Sequence, residues 1–577
     1  MIRGEYPRPG FEREQWMNLN GTWDFRFQGE AWREITVPYV FQCKASGIGD
    51  NRMCDHVEYR RRFTVPEEWA GKRTLLHFGA CDYVAEVFVN GCFFGRHEGG
   101  SAPFSFDVTD VLRPGEQEVS VQVWDPCGDE EIPRGKQYWE EHPAGIWYTR
   151  STGIWQTVWL EPVSACSLTG CWFTPDIDSG SVKISYETAG RTEGCTLACE
   201  ISMEGNPVFS GKLGLISGEG EFTAQLFGKH IFHGITHNAG WCWSPENPKL
   251  FDVTLKLERD GQTLDSVGSY FGMRKIEARE GHVWLNNRPY YQKLVLDQGY
   301  WPDTLMTAPD DEAYQKDILL SKQMGFNGCR KHQKAEDPRF LYWADRLGYL
   351  VWGEIPSCPV FSGKATQRVM REWAEILRRD YNHPSIVSWV VLNESWGVPN
   401  IAFDARQQAH SLALYYNLRS LDDTRLIVNN DGWEMTHSDL CAIHNYSHGA
   451  VEDVRQHGAF KSTLATADAL VSSRTAGREM YAQGFSYEGQ PILLTEFGGL
   501  AFSGKGGWGY TTIRDEAEFL REYERILTAI RESSALRGFC YTQLTDVEQE
   551  INGLLTADRQ FKVNPEAIAA INASTGT

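Results

Sequence analysis

No Cys-x-x-Cys pair occurs among the 14 cysteines of this chain, and their spacing is irregular. That excludes a zinc ribbon, a thioredoxin-type redox motif and a regular disulfide framework. Cys81, Cys171, Cys329 and Cys540 sit in apolar stretches and read as free, buried thiols of a reducing compartment. Runs of about 18 apolar residues are missing too, so no helix is expected to span a membrane. The opening Met1 to Arg8 lacks the apolar core of an export signal, and the expectation is a cytoplasmic protein. Positive charge is scarce: Lys and Arg total 56 against 77 Asp and Glu, a formal net charge of -21, which argues against nucleic acid or an anionic membrane as partner. Internal repeats and low-complexity runs are also lacking, which excludes a solenoid.

What is present is an ordinary globular composition, 41% hydrophobic and 23% charged, in 577 residues, too many for a single core. Leu19 to Val163 reads as strands and turns without a helix: Thr22-Trp23-Asp24-Phe25-Arg26-Phe27 alternates, and Val84 to Val89 runs into the turn Asn90-Gly91. That pattern predicts a jelly-roll β-sandwich over 1–165. Residues 166–277 carry strands such as Val182 to Tyr186 and Phe251 to Leu257, and their number fits a smaller immunoglobulin-like β-sandwich. From 278 to 577 helical spacing (Glu312 to Met324, Pro338 to Leu347, Trp373 to Tyr381) alternates with short apolar strands, which predicts a (β/α)8 TIM barrel. The whole is a multidomain protein of two sandwiches and a barrel.

Two of those apolar strands end on a carboxylate: Val390 to Leu392 leads into Asn393-Glu394, and Ile492 to Thr495 into Glu496. A barrel keeps its chemistry at the C-terminal ends of its strands, and paired carboxylates there can divide the labour of glycoside cleavage. For one such Glu alone, capping a strand or pairing with an Arg is the simpler account. Two on separate strands of a barrel favour catalysis. The aromatic load, 21 Trp, 23 Tyr and 29 Phe, suits stacking on sugar faces but equally suits sandwich cores, so it decides nothing.

With Leu19-Asn20-Gly21-Thr22-Trp23-Asp24-Phe25, Thr152 to Leu160 and both glutamate strands in place, the chain closely resembles glycoside hydrolase family 2, which includes β-galactosidases, β-glucuronidases and β-mannosidases. The resemblance implies the same domain order, with Glu394 as general acid/base and Glu496 as nucleophile. It implies that Asn393 bonds the sugar 2-hydroxyl, with a strand-end amide satisfying backbone as the lesser alternative, and that Tyr446 stands near the nucleophile. A retaining mechanism then calls for a raised pKa on Glu394 and a lower one on Glu496.

The run Cys329-Arg330-Lys331-His332-Gln333-Lys334 departs from the family's Arg followed by Thr-Ser-His-Tyr-Pro. Arg330 matches the family arginine, His332 is displaced by one position, and Lys331 and Lys334 are additional. Those lysines are either solvated charges at the mouth of the site or, with Arg330, the grip on a sugar carboxylate. The late Asn-x-Lys of β-glucuronidases is missing from Glu548 to Thr556, and Asn247-Pro248-Lys249 falls in the second sandwich. The resulting expectation is a retaining exo-β-glycosidase for a terminal β-D-galactoside or β-D-galacturonide. A β-glucuronidase or β-mannosidase, and a non-catalytic carbohydrate-binding protein, are the alternatives. Further pocket candidates are Asp297, Gln298, His444, Asn445, Trp508, Tyr541 and Gln543. Asp546, Glu548 and Glu550 read as solvated loop acids, so no metal or organic cofactor is called for. The expected partner is a small glycoside, and assembly into a homo-oligomer is left open.

Overall fold

The computed structural model describes residues 2–227, 240–450, 452–504 and 506–576. In the first domain, alternation does the work the sequence suggests: along Gly21–Phe27 the side chains of Trp23, Phe25 and Phe27 turn inward and their neighbours outward. A six-stranded antiparallel sheet and a four-stranded one face each other across this core. Described helical turns here are only short 3-10 pieces. The second domain packs a three-stranded sheet on a four-stranded one around Phe173, Ile184, Leu197, Phe251 and Phe271. All 14 cysteines are free and most are buried; Cys166 and Cys195 approach only to 4.0 Å.

The third domain is the barrel. Its parallel strands are β1 (Gln292–Asp297), β2 (Gly328–Lys331), β3 (Leu350–Glu354), β4 (Ile386–Val390), β5 (Leu426–Val428), β6 (Cys441–His444), β7 (Ile492–Glu496) and β8 (Leu536–Tyr541). Hydrogen-bonded order runs β5-β4-β3-β2-β1-β8-β7-β6, and a single bridge from Gly432 to Ile443 closes the ring between β5 and β6. β4 and β7 are buried along their whole length, as strands sandwiched between barrel interior and outer helices must be.

Each crossover helix begins on a side-chain cap. Asp310 accepts from Ala313 N–H at α1 (Asp311–Gln323), Asp337 caps α2 (Pro338–Leu347) with Pro338 at its first turn, and Ser362 caps α3 (Gly363–Asp380). Asp404 caps α4 (Ala405–Leu421) in the same way. α3 starts ten residues before the periodicity at Trp373 suggests, because Ser362 rather than an apolar residue sets its beginning. No described helix is long and apolar enough to cross a membrane.

Two features aim the barrel mouth. The chain beyond β4 leaves regular strand geometry at Val390 yet keeps pairing with the extension of β5: Val391 N–H donates to Val428 O (2.8 Å), Asp431 N–H to Leu392 O (2.8 Å) and Glu394 N–H to Asp431 O (2.9 Å). Glu394 and Ser395 then take left-handed φ values of 50° and 59°, a strained turn of the kind found at functional sites. Above the barrel, a loop of the first domain around residues 134–150 folds over the strand ends. Arg134 and Gly135 N–H both donate to Ser357 O (3.1 and 3.0 Å), and Trp508 and Gln549 return hydrogen bonds to Gly145 O (2.9 and 2.8 Å).

Candidate active site

Glu496 is the last residue of β7, and its carboxylate is almost wholly shielded. Arg330, from β2, places Nη1 2.9 Å from Glu496 Oε1. Tyr446, two residues past β6, donates its hydroxyl to Oε2 at 2.8 Å. The same guanidinium lies 2.9 Å from Asp431 Oδ2, pairs with Glu354 and donates to Asn393 Oδ1 at 2.6 Å. With Asn393 Oδ1 so engaged, its amide N–H groups are the part left to meet a hydroxyl. Arg330 is fully buried, and the acids around it hold its charge against the pull of burial. The structure thus sets Arg330 against Glu496, and these contacts leave it no freedom to grip a distant ligand group.

Glu394 carries 23% side-chain exposure, enough for a ligand to reach. His444, at the end of β6, donates Nδ1–H to Glu394 Oε1 (2.8 Å) and Nε2–H to Asp431 Oδ1 (3.1 Å). Burial works against a charge on His444, but Glu496 and Asp431 outweigh it and push the imidazole up to about 10. Burial would also lift Asp431, yet Arg330 and His444 bring it down to about 2. The expectation of a raised Glu394 is therefore corrected. Burial raises it, but the hydrogen bond and charge of His444 prevail and the net shift is downward. In this state the proton belongs to the imidazole of a coupled Glu394–His444 pair.

One oxygen of Glu394, one of Glu496 and a ring nitrogen of His444 all lie within 4.8 Å of each other. Such a trio offers the donor types of an ion site; here His444 bridges Glu394 and Asp431 by hydrogen bonds.

The remaining sequence candidates separate into two groups. His332 belongs to the site: its Nδ1 is 4.0 Å from Glu496 Oε1 and 3.6 Å from Glu354, and burial, then Arg330, keep it neutral, well below the usual histidine range. Trp508 reaches it through a relay of rings, packing edge-on against Tyr510 (5.4 Å), which stacks on Tyr446 at 3.6 Å.

Lys331, Lys334 and Asp297 do not stand at the mouth. Lys331 is 1% exposed and bound to Asp297 (2.6 Å) and Glu336 (3.1 Å). Lys334 is buried on Glu336 (2.9 Å) and the carbonyls of Gly299 and Met306. Neither the solvated nor the sugar-gripping reading of these lysines survives, because their charges are neutralised within the wall. Asn445 accepts from Ser447 N–H (2.9 Å) and shapes the turn that presents Tyr446. Tyr541 packs in the core.

Glu550 corrects the reading of the late acids. It is buried, accepts from Tyr148 (2.6 Å) and from Asn552 (3.1 Å), and heads a chain through Asn552 and Gln543 to Gln298. Asp546 pairs with Lys562 (2.8 Å), and Glu548, exposed, accepts from Thr149 N–H (2.9 Å). Sequence reasoning also passed over Lys136, Trp147 and Tyr148 of the first domain and Asp431 and Tyr510 of the barrel. For Asp431 a signal exists, the Asn429-Asn430-Asp431 run closing β5. For Lys136, Trp147 and Tyr148 none does, since only folding brings loop 134–150 to the barrel.

Known proteins resemble the chain along its length. The pattern described as "Glycosyl hydrolases family 2, TIM barrel domain" matches residues 276–570, its sugar binding domain matches 17–158, and "Glycosyl hydrolases family 2" matches 166–274. A β-galactosidase of Thermoanaerobacter pseudethanolicus is 28% identical over 414 residues, 68% of this chain, and the chain spans about half that relative's length, 52%. Among solved structures, the Bifidobacterium dentium β-glucuronidase complexed with coumarin-3-O-glucuronide superimposes with a TM-score of 0.78 at 20% identity, covering 97% of this chain and 98% of that one. The GH2 β-galacturonidase from Eisenbergiella tayi bound to galacturonate does so with a TM-score of 0.75 at 21% identity and 100% coverage of both chains. With the barrel pattern alone matching more than half of the residues, the chain belongs to glycosyl hydrolase family 2.

Proposed function

We propose that the protein is a retaining exo-β-glycosidase that removes a terminal galacto-configured sugar, a β-D-galactoside or β-D-galacturonide. The carrying observation is the approach of a Glu394 and a Glu496 oxygen to within 4.8 Å. Retaining glycosidases hold their carboxyl groups about 5 to 5.5 Å apart, whereas inverting ones leave about 6.5 to 9.5 Å for a water. Glu496, oriented by Arg330 and Tyr446, attacks the anomeric carbon, while the Glu394–His444 pair releases a proton to the departing oxygen. The glycosyl ester formed on Glu496 is then hydrolysed by water that Glu394 deprotonates. Loop 134–150 closes the barrel mouth on one side, which supports attack at a chain end rather than within a chain.

The galacto configuration is supported by the absence of Asn-x-Lys after Glu548; relatives named β-galactosidase and β-galacturonidase stand beside others named β-glucuronidase. Buried free thiols support a reducing, cytoplasmic location. The test is hydrolysis of p-nitrophenyl β-galactoside, β-galacturonide, β-glucuronide, β-glucoside and β-mannoside, with Glu496→Gln as control and a 2-fluoro glycoside to trap the ester. Turnover of a galacto sugar, loss of roughly 10⁴-fold or more in the variant, and label on Glu496 are expected. Full sugar binding without turnover by the unaltered protein makes it a carbohydrate-binding protein instead.

A further inference from the structure

Among the described cations close to the glutamates, Arg330 and His444 are each held by carboxylates, and the nearby lysines of β2, Lys331 and Lys334, are too. Lys136 differs. It is 93% removed from solvent, at 7% exposure, yet no described carboxylate comes within ion-pairing distance of it. A largely enclosed ammonium is favoured by a counter-charge brought into contact with it.

Its position is fixed by the backbone. The two N–H groups of Arg134 and Gly135 are held by Ser357 O beyond β3, and Tyr148 N–H donates to Lys136 O at 2.8 Å. Gly135 takes a φ of +57°, and a Cβ there would collide with the carbonyl oxygen of Gln333 at the end of β2. Only glycine lets the loop press this closely on the barrel. The side chain of Lys136 then lies with its Nζ 5.6 Å from the centre of the Tyr148 ring. It lines a narrow crevice with Gln333, Trp147 and Trp396. Trp396 is two residues past Glu394, and its ring meets Trp147 at 5.5 Å.

The charge of Lys136 is felt at Glu394, at His332 and at Glu550, so it belongs to the same electrostatic site. Glu550 feels that charge without pairing directly with it, and its oxygens accept from Tyr148 and Asn552.

We infer that Lys136, carried to the barrel mouth by the first domain, is the anchor for a carboxylate on the terminal sugar, which makes the substrate class a β-linked hexuronide. This rests on the glycosidase reading and narrows it. A uronide brings a negative charge into direct contact with the ammonium, whereas a neutral hexose does not. Aromatic rings of Trp147 and Trp396 beside it lower the local dielectric and strengthen such a pairing.

The experiment compares kcat/KM for p-nitrophenyl β-galacturonide, β-glucuronide and β-galactoside in the unaltered protein, Lys136→Met and Lys136→Arg, each checked for an unchanged melting curve. A preference of the unaltered protein for a uronide is expected. In Lys136→Met the ratio of uronide to galactoside kcat/KM falls roughly 100-fold or more, as for truncation of one partner of a buried charge pair. Lys136→Arg retains part of the preference. As a turnover-free readout, calorimetric titration of D-galacturonate into Glu496→Gln weakens by a similar factor when Lys136→Met is added. Equal losses on uronide and galactoside, or undiminished galacturonate binding, overturn the anchor and leave Lys136 as a support for Glu394. A preference for the neutral galactoside overturns the anchor but keeps the glycosidase. No hydrolysis of any glycoside overturns both.

Discussion

Lys331 on β2 and Lys136 on the first-domain loop are nearly equal in burial and opposite in use. Lys331 lies between two carboxylates inside the barrel wall; Lys136 faces a cleft with none. The contrast extends to the two halves of the molecule around the site. The barrel supplies a closed set of charges, Arg330, Asp431, Glu354 and His444, that orders its own glutamates. The sandwich loop supplies a charge felt at Glu394 and Glu550 but paired directly with no described carboxylate. Cations in a strand-end network read as architecture, and a cation brought from another domain with no partner reads as recognition.

The sharpest break in that comparison is Arg330→Met. It leaves Glu496, Asp431 and Glu354 facing one another without their common cation, so kcat falls roughly 10³-fold on every glycoside alike. A loss confined to uronides would move the recognition role from Lys136 to the barrel.

Next in size is Lys331→Met. Stranding Asp297 and Glu336 in the wall lowers stability by about 3 to 5 kcal/mol, read in thermal or denaturant unfolding. The uronide-to-galactoside ratio of whatever folded protein remains does not move. A changed ratio would place Lys331 in the pocket after all.

His444→Asn has a smaller effect on rate and a larger one on pH dependence. In the unaltered protein the Glu394–His444 pair keeps its shared proton until the pH nears the imidazole's value of about 10, so the alkaline limb of kcat/KM lies high. Without the imidazole, Glu394 alone carries that proton and the limb moves to lower pH, with roughly tenfold lower activity at pH 8.

The stability signature has a defined sign. Folding raises His444 above the ordinary histidine value of roughly 6.5. Its pairing therefore stabilises fully below about 6.5 and fades as the pH rises through about 10. The stability difference between the unaltered and His444→Asn proteins narrows over that span in urea titrations. An alkaline limb identical in the two proteins would show that Glu394 keeps its own proton.

Much of the site could be read from local sequence because its parts sit where a periodic pattern ends. Glu496 closes a fully apolar strand, Asn393-Glu394 follows another, and Arg330 and Tyr446 lie at or just past strand ends. The pKa of Glu394 could not be read this way. Its direction depends on His444, 50 residues further on, which comes within hydrogen-bonding distance only when β4 and β6 take their places in the ring. The misreading of Lys331 and Lys334 has the same origin. A lysine after a strand is ordinarily solvated, and only the positions of Asp297 and Glu336 show that these two are not. Glu550 looked like one of three loop acids until Tyr148, 402 residues away in sequence, covered it.

By itself the sequence determined the three-domain order, the two carboxylates and their division between strands, because alternation, helical spacing and strand-end residues are properties of neighbours along the chain. The tertiary structure alone decided which charges are balanced. Whether a buried lysine holds a wall together or waits for a sugar's carboxylate depends on distances of a few ångströms between residues hundreds of positions apart, and no local pattern encodes them.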